Sequence, residues 1–286
     1  MYDVIIIGAG PAGISAGIYT ARARLRTLII GASSGALAKA GKIENYYGFS
    51  SPISGEKLLS EGLLQAKNVG AEILTEQVVN IGYEDSYIVK TKDSQYKGKA
   101  VIIATGSSRT APKIEGFTRF EGQGISYCAV CDAFFYKGKD VAVLGCCEYA
   151  LHEASELLPI AKSVTLLTNG AKPIPDIPKE IPVITTEIAA LEGGDTLEKV
   201  RLADGNELTV AGVFVAIGVA GSSDLARKLG AETEGLKIVV DENMATNLPG
   251  LFAAGDCTGG MMQIAKAVYE GAKAGMEAIK FVRNNK

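Results

Sequence analysis

Long apolar runs, an excess of basic residues and histidine are all scarce in this 286-residue sequence. The longest apolar stretch, near Ala211 to Gly221, falls well short of the ~20 residues needed to cross a bilayer, so no membrane partner is expected. The opening MYDVIIIGAG has no basic region before its apolar run and no cleavage site; it does not read as a secretory signal, and the expected location is cytoplasmic. Lys and Arg number 29 against 32 Asp and Glu, and the pI is near 5.5, which leaves no general basic surface for nucleic acid. There are only five cysteines, and without a secretion signal they do not suggest a structural disulfide framework.

What is present is a strand–turn–helix–strand pattern, and it occurs twice. In the first copy, Asp3 to Ile7 is a short Ile-rich run of the kind found in buried parallel strands. Gly8, Gly10 and Gly13 follow as G-x-G-x-x-G, a helix runs from about Pro11 towards Arg24, and Thr27 to Ile30 forms the next strand. In this context the glycines allow a tight turn and close approach to a pyrophosphate, which the helix N-terminus then holds. The acid expected about 20 residues later for a ribose would fall near Ile30 or Gly31 and is missing. In the second copy Val141 to Leu144 and Ser163 to Leu167 are the strands, ~135 residues further on. Near the C-terminus a third apolar run leads into Gly255-Asp256 and a helix with small residues on one face; the aspartate can accept a bond from a cofactor hydroxyl.

Between the two copies lies GISYCAVCDAFF, where Cys128 and Cys131 form C-x-x-C followed by Asp132. This spacing suits a reducible dithiol, with the adjacent carboxyl available for proton transfer. Half of a zinc site is the competing reading. It needs two more ligands, and the candidates are Cys146, Cys147, Cys257 and the single His152. No metal is expected.

Together these residues resemble the low-molecular-weight thioredoxin reductases. The resemblance covers nearly the whole chain and rests on GAGPAG (Gly8, Ala9, Gly10, Pro11, Ala12, Gly13), IENYYGF (43–49), IIATGS (102–107), SYCAVCDAFF (126–135) and LFAAGDC (251–257). It implies an α/β fold of two Rossmann-like, three-layer nucleotide-binding domains. The FAD domain would be discontinuous, residues 1–111 and 243–286, with an NADPH-type domain carrying the C-x-x-C inserted at 112–242. It further implies a homodimer with one FAD per chain, electron flow from FAD to the Cys128–Cys131 disulfide, rotation of the inserted domain, and thioredoxin as the protein reduced. Asp132 would be the acid–base residue. Gly35, Asn45, Ala104, Thr105, Gly106, Gly255, Asp256 and Gln263 would join the glycine turn at the FAD. The family's Arg-Gln near the flavin reads Met262-Gln263 here, and Ala36 replaces part of its usual Gly-Gln.

The inserted domain departs from that family at two places. Its turn reads Gly145-Cys146-Cys147-Glu148-Tyr149-Ala150, where Gly-Gly-Gly-Asp-Ser-Ala is usual. Cys146 puts a side chain where a pyrophosphate would approach, Glu148 adds a competing carboxylate, and Tyr149 puts a ring where a small hydroxyl is usual. The following strand ends in Thr168-Asn169-Gly170 instead of His-Arg-Arg. Each lost charge-assisted bond to a 2′-phosphate costs roughly 1.5–3 kcal/mol. These departures resemble the ferredoxin-linked flavin thioredoxin reductases and lead to the expectation that ferredoxin, not NADPH, is the electron donor. Charge agrees: residues 1–111 and 243–286 hold 17 Lys+Arg and 12 Asp+Glu, against 12 and 20 in 112–242. An acidic donor would be steered to the FAD portion, with Arg22, Arg24, Arg26, Lys39 and Lys42 as candidate docking charges.

Overall fold

The computed structural model describes residues 1–32, 35, 37–40, 42–106, 112–127, 129–217 and 222–285; the side chains at 39, 130 and 131 are also outside that description. The residues cluster into two compact units, Met1–Ser108 with Gly221–Lys286, and Arg109–Ala220.

The first unit begins with β1 (Tyr2–Ile7), α1 (Pro11–Arg22), β2 (Thr27–Ile30), α2 (Gly55–Asn68), β3 (Glu72–Leu74), β4 (Val78–Tyr83), β5 (Tyr87–Thr91) and β6 (Gln95–Ile103). The Ile- and Val-rich cores of β1, β2 and β6 are buried on both faces, as helices covering a parallel sheet require. The second unit carries β7 (Ile125–Ser126), α3 (Ala129–Asp132), β8 (Asp140–Leu144), α4 (Glu148–Leu157), β9 (Ser163–Leu167), β10 (Val183–Ile184), β11 (Ile188–Glu192), β12 (Lys199–Leu202), β13 (Glu207–Thr209) and β14 (Gly212–Val215). Its parallel sheet runs β10-β9-β8-β14-β7, and β11-β12-β13 form a separate antiparallel sheet. The chain then returns to the first unit with α5 (Ser222–Lys228), β15 (Thr233–Glu234), β16 (Lys237–Ile238), β17 (Leu251–Ala253) and α6 (Ile264–Asn284).

The first unit's sheet has the order β3-β2-β1-β6-β5-β4, and β17 adds in parallel to the end of β6. Helix α6 lies against α1 so closely that a Cβ at Gly271 would sit 2.0 Å from the Ala12 carbonyl oxygen, and one at Gly275 would sit 2.9 Å from that of Ala16. The small-residue face read from the sequence is therefore a helix–helix contact. Both units have the α/β, parallel-sheet organisation of a Rossmann-like fold.

The first unit takes up the chain again with Gly221–Lys286, whereas the return was expected from the sequence at 243. Helix α5 packs on β4 and β16, and β16 packs on the turn at 256–258. The Ser222 hydroxyl meets Thr105 Oγ1 at 2.6 Å and donates to the Gly106 carbonyl at 2.7 Å. With this division the first unit holds 19 Lys+Arg and 17 Asp+Glu, and the second 10 and 15. The charge contrast keeps its sign but is much smaller than the sequence-based boundaries suggested.

Candidate functional site

The first glycine turn is built by contact. Gly8 has φ +119, and a Cβ there would lie 2.2 Å from the Ala104 carbonyl oxygen and 2.9 Å from the Thr105 nitrogen. A Cβ on Gly13 would lie 1.8 Å from the Gly8 carbonyl oxygen. These two positions lock the turn to the end of β6 and to its own helix. Gly10 differs: a Cβ there meets nothing within 4 Å, so its lack of a side chain leaves open space in front of the turn. Gly10 is also the N-cap of α1, Pro11 follows it, and no side chain caps the helix. Backbone donors and open space together fit the pyrophosphate of FAD. The missing ribose acid has a steric reason, since a Cβ at Gly31 would lie 2.5 Å from Ala9 Cβ.

Other predicted residues gather in the same unit. Gly255 (φ +89) faces Ala12, whose Cβ would be 3.0 Å from a Cβ built on the glycine, and Asp256 opens a short 3-10 turn to Thr258. Gly106 (φ +76) follows Thr105. The exposed Asn45 donates through Nδ2 to Gln263 Oε1 at 3.0 Å, and Gln263 is the N-cap of α6. Gly35 occupies a turn with φ +64 and open space around it.

Two networks supporting these residues were not read from the sequence. Lys266 Nζ donates to the carbonyls of Gly255 at 2.7 Å and Gly259 at 2.5 Å and to Thr258 Oγ1 at 3.0 Å, and pairs with Glu270 at 3.0 Å. Glu270 also accepts the Gly255 amide at 2.9 Å. An ammonium and a carboxylate from α6 thus shape the turn carrying Asp256; their i,i+4 spacing was the available signal. Ser222, beside Thr105, had no local signal at all.

In the second unit, Cys128 lies outside the described residues. Cys131 belongs to α3, and its side chain is likewise outside them. Asp132 accepts a 2.6 Å bond from the buried Ser126 hydroxyl, which fixes the carboxylate beside the C-x-x-C segment. Burial, and then the Asp132 charge, hold the Tyr136 phenol above its ordinary range. Phe134 and Phe135 are exposed next to this segment.

The second turn keeps the geometry but loses the open glycine. A Cβ at Gly145 would lie 2.2 Å from the Ala216 carbonyl oxygen and 2.7 Å from Ala150 Cβ, so the first glycine is still required. Cys146 and Cys147 are half-buried thiols, and Cys147 Sγ lies 3.7 Å from the Ala216 carbonyl oxygen. Burial, and then Cys147, push the Cys146 thiol up, which disfavours an attacking thiolate. Tyr149 does not obstruct the turn as expected: its ring is wholly buried beneath α4, with its hydroxyl directed to the Tyr127 carbonyl. At the end of β9, Thr168 Oγ1 donates to the Ala171 carbonyl at 2.6 Å, and Asn169 (φ +50) accepts the Ile188 amide at 2.7 Å. Thr168 thus serves the turn itself, and Asn169 ties the turn to the start of β11. A carboxylate stands beside them, with Glu187 Oε1 3.2 Å from a Cβ built on Gly170. Of the docking candidates, Arg26 pairs with Glu72 at 3.5 Å and Lys42 with Glu44 at 3.0 Å, while Arg22 and Arg24 are exposed.

A family model described as pyridine nucleotide-disulphide oxidoreductase matches residues 2–271. The thioredoxin reductase of Aquifex aeolicus is 36% identical over 306 aligned positions, covering 100% of this chain and 95% of that protein. Among solved structures, an atypical thioredoxin reductase from Desulfovibrio vulgaris Hildenborough is 40% identical with a TM-score of 0.94, covering 99% of each chain. A ferredoxin-flavin thioredoxin reductase from Clostridium acetobutylicum is 33% identical with a TM-score of 0.74, covering 99% of this chain and 98% of that one.

Proposed function

Because the chain belongs to the pyridine nucleotide-disulphide oxidoreductase family, as a flavin-dependent disulfide oxidoreductase of the thioredoxin reductase type that uses FAD, we propose that it reduces thioredoxin with electrons from ferredoxin and not from NADPH. The observation that carries this reading is the end of β9, where Thr168 is bonded within its own turn, Asn169 is bonded to the start of β11, and a carboxylate, not a guanidinium, stands beside Gly170. A 2′-phosphate would meet repulsion there in place of paired charge. Cys146 adds a side chain at the position matching the open Gly10. The Clostridium acetobutylicum relative named for ferredoxin supports the same reading.

In this proposal FAD is held by the Gly8–Gly13 turn, by Gly35, Asn45, the segment 104–106, Gly255, Asp256 and Gln263. When bound, the flavin accepts electrons singly and delivers two, which matches a one-electron donor to a disulfide. Cys128 and Cys131 form the dithiol passed to thioredoxin. Asp132, oriented by Ser126, holds and returns the proton that moves as the S–S bond opens. Exposed apolar side chains on the first unit, Tyr47 and Tyr269 among them, offer area for a homodimer contact.

One observation favours a second donor, NADH: a carboxylate at the end of a strand such as β9 suits the hydroxyls of an adenosine ribose, and Glu187 is so placed. The deciding experiment is anaerobic. FAD-loaded protein is mixed separately with reduced ferredoxin, NADH and NADPH, flavin absorbance is followed, and thiols on added thioredoxin are counted. Bleaching and thiol release with ferredoxin alone are expected. Rapid bleaching by NADPH would overturn the proposal, and bleaching by NADH with none by ferredoxin would select the second reading.

A further inference from the structure

Helix α4 starts at the altered turn, yet two of its buried side chains reach the redox segment. Tyr149 and Glu153 stand one turn apart on one helix face and are 0% and 1% exposed. Glu153 Oε2 accepts the Ala129 amide at 2.7 Å. The Tyr149 hydroxyl donates to the Tyr127 carbonyl oxygen at 3.4 Å, a longer and weaker bond. The Tyr127 carbonyl and the Ala129 amide belong to the two peptide units that join Cys128 to its neighbours. One helix face therefore bonds the chain on both sides of that cysteine. A buried carboxyl is costly unless bonded, and Glu153 places an oxygen on a backbone donor.

We propose that Tyr149 and Glu153 are positioning residues that fix the peptide planes flanking Cys128, so that α4 serves the redox pair where a nucleotide-binding helix would serve its ligand. The inference rests on Cys128 and Cys131 being the redox pair. Closing a disulfide ring orders the backbone between the cysteines, and a backbone already held has less freedom to lose. The clamp therefore favours the closed ring. Loosening it favours the open dithiol and makes the couple more oxidising. Glu153, with the shorter bond, carries the larger share.

The test equilibrates FAD-loaded protein anaerobically with mixtures of reduced and oxidised dithiothreitol. In this exchange the Cys128–Cys131 S–S bond breaks and gains two hydrogens as the reagent's two thiols lose theirs and close their own S–S bond. Thiols are trapped by alkylation and read by mass on the tryptic fragment 120–137, which contains Cys128 and Cys131 and no other cysteine. Glu153→Ala is expected to shift the equilibrium constant about tenfold towards the dithiol, about 30 mV upward, and to slow ring closure. Glu153→Gln, which keeps an acceptor oxygen, is expected to recover most of this. Tyr149→Phe keeps the ring and is expected to move the constant the same way by less. Wild-type constants and rates in both Glu153→Ala and Tyr149→Phe would overturn the proposal, whatever their Tm. So would a Glu153→Gln protein displaced as far as Glu153→Ala, since charge and not position would then be acting. Should Glu153→Ala fail to fold, Tyr149→Phe decides alone. Neither ferredoxin nor thioredoxin enters the measurement, so a failure of the donor assignment leaves this test intact.

Discussion

Asn45 and Gln263 are 218 residues apart in the chain and 3.0 Å apart in space, with the Asn45 amide donating to the Gln263 carbonyl oxygen. One comes from the loop after β2, the other from the start of α6, and the pair is exposed. If this pair borders FAD, replacing Asn45 with Ala removes a bonding group and lets Gln263 turn away. FAD affinity is expected to fall about tenfold, the worth of roughly one hydrogen bond. Release of flavin fluorescence on serial dilution measures it, and unchanged retention would remove Asn45 from the site.

Gly10 and Gly13 make opposite predictions. A side chain at Gly10 enters open space, so Gly10→Val is expected to leave the apoprotein's Tm within a few degrees and abolish FAD retention. A side chain at Gly13 strikes the Gly8 carbonyl, so Gly13→Ala is expected to lower stability by about 1–3 kcal/mol or more through overpacking. Thermal unfolding and bound-flavin absorbance, taken together, separate the two.

Asp132 is expected to act on the rate and not on the fold. Asp132→Asn keeps the shape and the Ser126 contact but cannot shuttle a proton; thioredoxin reduction is expected to slow by about 10²–10⁴-fold. Ser126→Ala, which frees the carboxylate from its anchor, should slow it less. Single-turnover reduction of thioredoxin by prereduced protein reports both. A wild-type rate in Asp132→Asn would take Asp132 out of the chemistry.

Cys257 gives a pH prediction. Burial pushes its thiol up to about 12, only partly offset by the Lys266 charge. Below the ordinary thiol range, near 8.5, folded and unfolded chains both hold this proton, and it contributes nothing to pH dependence. Above that range the unfolded thiol ionises and the folded one does not, so stability falls as pH rises towards 12, by about 1.4 kcal/mol per pH unit at most. Urea midpoints between pH 8 and 10 should decline less steeply in Cys257→Ala than in the wild type.

The fold was legible because its signals are local. Ile-rich runs meeting glycines at fixed spacing announce a strand, a turn and a helix, and β1, α1 and β2 lie where those signals put them. The place of α5 in the first unit was not legible, because it depends on a contact with β4 across more than a hundred residues. Tyr149 was misread for a related reason: the sequence shows a large residue in place of a small one but not the direction of its ring, which points into the core. Lys266 offered only its i,i+4 spacing to Glu270 as a signal, and Ser222 offered none; the carbonyls they bond lie outside any such spacing.

The place of β17 has a bearing on how the protein is made. This strand adds to β6 within the sheet of the first unit, and α6 seals the face of α1 beside the glycine turn. Neither can do so until residues 251–284 have left the ribosome. The contiguous second unit can fold during synthesis, while the amino-terminal half of the flavin unit waits with its apolar strands uncovered. Nascent chains halted before Leu251 are therefore the ones that would call on chaperones, and flavin capture would wait for β17 and α6 to arrive.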